Sequence, residues 1–126
     1  MIPKDKQDEQ SIILLQSASN EEVIEKAEQL LEWLQDKNWP VFEGVVKRLS
    51  CLGNELEAPV SKILEGSDSK WKANIIGHLI PSFSHESQLR YSESLKILLA
   101  KYDENDLREG VIDFVEIQLS NAKEYT

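Results

Sequence analysis

Apolar residues recur at spacings of three and four along most of the chain. Val23, Ala27, Leu30, Leu31 and Leu34 form one stripe. Val41, Val45, Leu49 and Leu52 form a second, widened by Phe42 and Val46. This is the period of helices that each bury one face. It continues through Leu56, Val60, Ile63 and Leu64, and then through Trp71, Ile75, Ile76, Leu79 and Ile80. Leu89, Leu95, Ile97, Leu98 and Leu99 follow, and Leu107, Val111, Ile112, Phe114, Val115 and Leu119 close the series. Ile12 to Leu15 marks a short opening helix within residues 7–17. No β-type alternation of useful length interrupts the pattern.

Turn chemistry divides these stripes. Ser19 or Asn20, Asp68, Ser84 and Asp103 are suited to cap helix N-termini. Gly53 is suited to the left-handed position after a helix, and Pro81 to a helix end. Between Leu34 and Val41 lies a tight corner, Gln35-Asp36-Lys37-Asn38-Trp39-Pro40. There Pro40 suits a first helical turn, Asn38 the turn or the cap, and the indoles of Trp33 and Trp39 would lock the hairpin. The predicted pairs are 20–36 with 39–52, 55–65 with 68–80, and 85–101 with 104–120, followed by a polar tail from Ser120 to Thr126 that should fray.

Starts near Asn38, Asp68 and Asp103 lie 30 and 35 residues apart. Two helices per unit at that period suit a stacked α-solenoid, because one pair cannot bury its own apolar face. The fold expected is therefore all-α: a short right-handed α-solenoid of about three helix pairs plus a short N-terminal helix. It would form a single domain over residues 1–126. A compact antiparallel bundle is the structural rival.

Four segments also resemble a known family. They are Ile2-Pro3-Lys4-Asp5-Lys6, Leu31-Glu32-Trp33-Leu34-Gln35-Asp36, Asn38-Trp39-Pro40-Val41, and Asp68 with Trp71-Lys72. Together they resemble the bacterial domain-of-unknown-function family 5071, itself similar to HEAT and armadillo repeats. The resemblance covers most of the chain in order and implies HEAT-like helix pairs. It implies no activity. After Trp71-Lys72 the family pattern commonly has an aromatic, where Ala73-Asn74 stand here.

Charge changes the functional picture more than composition does. The net charge is −9, from 14 basic and 23 acidic residues. Residues 1–40 carry 4 basic and 9 acidic side chains, residues 41–80 carry 5 of each, and residues 81–126 carry 5 and 9. No basic stripe is present for phosphates, so neither nucleic acid nor an anionic membrane surface is an expected partner. No apolar run reaches the roughly 18 residues of a membrane span, and the N-terminus lacks the apolar run of a signal peptide. One cysteine, Cys51, permits no internal disulfide and suits a reducing compartment, so a cytoplasmic protein is expected; a monomer is expected as well.

Catalytic patterns are sparse. Cys51 has no charge partner adjacent to it in sequence and reads as a small, partly buried core residue. His85 lacks a second histidine one turn away, and Asp103-Glu104-Asn105-Asp106 does not continue as a calcium loop. No phosphate-cradling glycine loop exists, and no cofactor is expected.

Two surface features remain. Glu21, Glu25, Glu28, Glu32 and Asp36 fall on one helical ridge, and Asp106, Glu109, Asp113 and Glu116 on another. Such ridges focus a negative potential that suits a basic partner, although a solvated outer face would need no more than the same residues. Lys70, Asn74 and His78 fall four apart on the second helix of the middle pair, where a solenoid's inner surface binds partners. Glu43 and Lys47 on the helix before, and Arg108 on the helix after, would extend that strip.

The function expected is a non-catalytic protein–protein interaction module for a basic protein. An immunity or antitoxin-like inhibitor of a basic nuclease is one concrete form. The alternative is a small enzyme, a hydrolase or transferase, with its site on the inner surface around Lys70, Asn74 and His78.

Overall fold

Five polar side chains start helices by accepting the backbone amide three residues on. Asp8 receives Ser11 N–H, Ser19 receives Glu22, Asp68 receives Trp71, Ser84 receives Ser87, and Asp103 receives Asp106. Each replaces a hydrogen bond that the first helical turn cannot make for itself. In the computed structural model, which describes residues 1–123, helices follow one another from Glu9 to Lys123, and these caps begin five of them. Among the described residues there is no strand.

The helices are shorter than the stripes suggest. They are α1 (Glu9–Ser17), α2 (Asn20–Glu25), α3 (Ala27–Leu31), α4 (Phe42–Leu49) and α5 (Glu57–Leu64). After them come α6 (Ser69–Asn74), α7 (His85–Leu89), α8 (Ser92–Lys101), α9 (Glu104–Arg108) and α10 (Val111–Lys123). The predicted helix 20–36 breaks at Lys26 and tightens into a 3-10 turn over Glu32–Leu34. The predicted helix 85–101 breaks at Arg90 and Tyr91. There the buried Tyr91 hydroxyl donates to the Gly53 carbonyl. The predicted helix 104–120 breaks at Gly110, whose φ of +80° is the left-handed conformation that glycine adopts at little cost.

Pro81 does not end its helix at residue 80. The chain passes from α6 into a π-turn over Ile75–Leu79 and then a 3-10 turn over Ile80–Ser82. Pro81 has no amide for the Gly77 carbonyl, so the regular ladder cannot run through this point. Gly53 is not left-handed either. A Cβ there would sit 2.6 Å from Ser87 Cβ and 2.9 Å from Phe83 Cγ, so glycine is required by close packing. The polar tail also differs: α10 continues to Lys123 and buries Ala122, while residues 124–126 lie outside the described residues.

At the corner the side chain that bonds the turn is Asp36, not Asn38, and α4 begins without a side-chain cap. Asp36 Oδ1 accepts the Asn38 amide at 2.9 Å, and the Trp39 carbonyl accepts the Phe42 amide at 2.9 Å. Pro40 therefore occupies the second position of a turn just ahead of α4. Trp33 and Trp39 meet edge to face, with centroids 5.5 Å apart, and both are only partly buried.

One contiguous apolar cluster runs from Leu15 to Val115. A fully buried leucine in it is worth roughly 1.5–3 kcal/mol relative to exposure. Two series of neighbours surround it. In one, α3 packs on α5 and α5 on α8. In the other, α4 packs on the π-turn, and α10 packs on the π-turn and α6. Contacts α5–α6 and α8–α10 join the two series, and α1 lies on α4. Within α9 the inward residue is Asp106, whereas Leu107 is exposed; Ile97 of α8 also points outward.

Candidate functional site

Lys70, Asn74 and His78 do come together, in a notch of about 290 Å³ between the corner and the start of α10. Its other walls are Gln35, Asp36, Lys37, Asn38, Ala73, Glu109 and Phe114. Their roles differ. Lys70 is exposed. Asn74 is buried, and its Nδ2 donates to the carbonyls of Leu34 at 3.0 Å and Gln35 at 3.1 Å. Those hydrogen bonds close the end of the 3-10 turn, so its amide nitrogen is engaged in structure. His78 is held between Phe42 and Phe114, with centroids 5.5 and 6.3 Å away. Burial, then the nearby Lys37 charge, pushes its pKa below the ordinary histidine value of 6.5. Glu43, Lys47 and Arg108 are exposed but do not line this notch; Glu109 does. The contribution of Asp36 and Lys37 was not visible in sequence, because spacing does not say which way a corner faces.

The two predicted acidic ridges behave differently. On the first, Glu21, Glu25, Glu28 and Glu32 are exposed, while Asp36 is half-buried at the corner. The second is not one solvated line. Asp106 is 2 % exposed, and its Oδ1 accepts from Lys72 Nζ at 2.8 Å and from Ser69 Oγ at 2.7 Å. Burial raises the pKa of this carboxyl, but hydrogen bonds from Lys72, Ser69 and the Asp103 amide outweigh it and hold the value below 3.8. Ser69 and Lys72, one turn apart, thus share a single carboxylate, and Lys72 and Asp106 line a cleft of about 770 Å³. An ammonium locked to a carboxylate is not a base, and a depressed carboxyl is a weak one, so the Ser69 hydroxyl is not activated for attack. The group ties α6 to α9.

A seam with a different character runs where α2 and α3 meet α5. Two depressions of about 390 and 370 Å³ share Glu28 and Pro59. The first is lined by Leu31, Ile63 and Trp71 together with Glu28, Glu32 and Asp68. The second adds Ile24, Ala27, Glu25 and Glu55. Among the described residues Lys62 is the only cation lining either one, and its Nζ lies 3.7 Å from Glu28 Oε1. Trp71 is oriented by its Nε1–H, which donates to the Leu31 carbonyl at 2.9 Å. The result is an apolar floor with a rim of carboxylates. It extends the first ridge, which sequence did reveal, across to Glu55 and Asp68, which it did not.

Over residues 1–118 the chain matches the family model described as a domain of unknown function, DUF5071. The chain belongs to that family. The matched region includes the corner, the notch and the whole seam, so all three lie within the DUF5071 module. No curated protein matches the chain.

One further residue departs from expectation. Cys51 is exposed rather than partly buried. Its neighbour Arg48 is the buried one, donating to the carbonyls of Leu15 and Ala18 and to Asn20 Oδ1. These acceptors gather at and just beyond the C-terminal end of α1, where the helix dipole favours a cation. Among the described residues no three side chains of metal-ligating type converge. No described helix is long and apolar enough to cross a membrane.

Proposed function

We propose that the protein is a non-catalytic interaction module that receives a basic protein along the seam between α2–α3 and α5. The observation that carries this reading is the seam itself: five carboxylates, from Glu25, Glu28, Glu32, Glu55 and Asp68, around an apolar floor, against one loosely held lysine. Apolar surface supplies affinity, and the charged rim selects and steers a partner of opposite sign. An inhibitor of the immunity or antitoxin type, which covers a basic nuclease, is the concrete form that this surface suits.

The same reading takes the helices as a short right-handed solenoid of HEAT-like pairs. The succession α3, α5, α8 on one side and α4, α6 with its π-turn, and α10 on the other supports it. The exposed Glu43, Lys47 and Lys70, with His78, then belong to the opposite helix series and, with Arg108 of the neighbouring α9, form a second, mixed-charge face.

Affinity capture from the source organism's lysate tests the proposal when wild type is compared with a Glu25→Lys, Glu28→Lys, Glu32→Lys variant. The expected result is a basic protein retained by wild type, released as salt rises, and not retained by the variant. Retention of the same proteins by both would overturn it.

A further inference from the structure

The Trp71 end of the seam has a composition that selects among basic side chains. The indole N–H is already bonded to the Leu31 carbonyl, so what Trp71 offers the groove is the carbon surface of its ring. An electron-rich ring surface favours a cation, and most of all a flat one. Glu28 and Glu32 stand one helical turn apart on α3 and the 3-10 turn after it, with Asp68 on the facing wall. The Glu32 carboxylate has no hydrogen bond or ion pair among the described residues; the residue bonds through its backbone, whose carbonyl accepts the Gln35 amide. Asp68 uses Oδ1 to cap α6, and Oδ2 has no partner among the described residues. The one cation present, Lys62, is 77 % exposed and only loosely engaged with Glu28, so an incoming charge can displace it.

We propose that this pocket of about 390 Å³ binds an arginine side chain of the basic partner, with the guanidinium lying on Trp71 and bridging Glu32 and Asp68. The proposal rests on the reading of the seam as a site for a basic protein and adds which side chain anchors it. A guanidinium is planar and presents donors in a fork, so it can stack on the indole and reach carboxylates on two walls together. A lysine ammonium is a compact, strongly hydrated point charge that gains from the carboxylates but little from the ring. The pocket's discrimination therefore comes from Trp71, and its attraction from the acids.

Nuclear magnetic resonance titration with two synthetic peptides tests this. Each carries four basic residues alternating with glycine, all arginine in one and all lysine in the other. The expected result is movement of the Trp71 indole N–H signal while those of Trp33 and Trp39 stay in place. The arginine peptide should bind about tenfold tighter than the lysine peptide, the ratio a partly desolvated cation–π contact supplies. Glu32→Gln should weaken the arginine peptide severalfold, whereas Glu116→Gln, the same loss of charge outside the seam, should not. Asp68→Asn keeps a helix-capping residue and serves as a second folded variant with the same expected loss. Equal affinity for the two peptides, with Glu32→Gln no weaker than Glu116→Gln, would overturn the arginine pocket while leaving a general acidic surface in place. Binding that moves signals only outside the seam, or no binding by either peptide, would overturn both readings.

Discussion

The ammonium of Lys72 and the carboxylate of Asp106 lie 2.8 Å apart, each almost sealed from solvent. Removing one strands the other as a buried charge, so Lys72→Met should cost about 3–5 kcal/mol. The double variant Lys72→Met, Asp106→Leu should lose less than the sum of the single changes, as urea midpoints at unchanged slope would show. The pair also sets a pH response. The Asp106 carboxyl lies below 3.8 in the folded chain, so its contribution is fully present above the unfolded value and is lost as pH falls through the folded one. Stability should therefore drop below about pH 4 in wild type and more shallowly in Asp106→Asn. His78 has the same sign for a different reason. Burial first, and Lys37 second, lower its pKa, so the fold prefers neutral imidazole and stability falls as pH drops from 6.5 through the folded value. A titration midpoint for His78 at or above 6.5 would contradict the packing described for its ring. Trp39 needs a smaller number than a buried indole would. It is half-buried against Trp33, so Trp39→Ala should cost about 2 kcal/mol, below the range for core aromatics. Pro40→Ala, at an exposed turn position, should cost under about 1 kcal/mol. Equal midpoints for the two variants would mean that the indole pair contributes nothing to the corner.

Elements follow the chain locally at their starts and depart from it in their interiors. Ser19, Asp68, Ser84 and Asp103 were legible as caps because a cap needs only its own side chain and the next turn. The breaks at Lys26, Arg90 and Gly110, and the π-turn, were not. The break at Arg90 and Tyr91 depends on what lies across the core, where Tyr91 reaches Gly53, whereas the break at Gly110 and the π-turn before Pro81 follow from how one glycine and one proline are used. Helical spacing likewise cannot say which of two adjacent residues faces inward, and so Leu107 was read as buried where Asp106 is. Two glycines separate the causes cleanly. Gly53→Ala keeps an ordinary backbone conformation but drives a methyl into Ser87 and Phe83, and should cost about 1–3 kcal/mol. Gly110→Ala meets open space but must hold φ near +80°, and should cost about 1 kcal/mol. Thermal unfolding of the two variants checks the order, and a Gly53→Ala protein as stable as wild type would place the loop farther from α7 than described.

At the scale of the molecule, all-helical architecture was readable because every stripe has the same period, and the acidic first ridge because charges on an exposed face keep helical spacing. The seam was not readable, since Glu55, Asp68 and Trp71 join that ridge only through packing of α3 on α5. Charge reversal at Glu25 and Glu32 should leave the melting temperature nearly unchanged, because both are exposed and outside the apolar cluster. A large drop would show that the seam is structural. The bonds from Trp71 and Asn74 to the carbonyls of Leu31, Leu34 and Gln35 reach back 39 or 40 residues. A chain emerging from the ribosome presents those carbonyls long before their donors exist. Until α6 arrives, the first hairpin ends in carbonyls whose remaining hydrogen-bonding capacity falls to water. Its late partner makes the first hairpin a dependent of the middle of the chain, so a fragment stopped before residue 68 should exchange its helical amides rapidly while the full chain protects them.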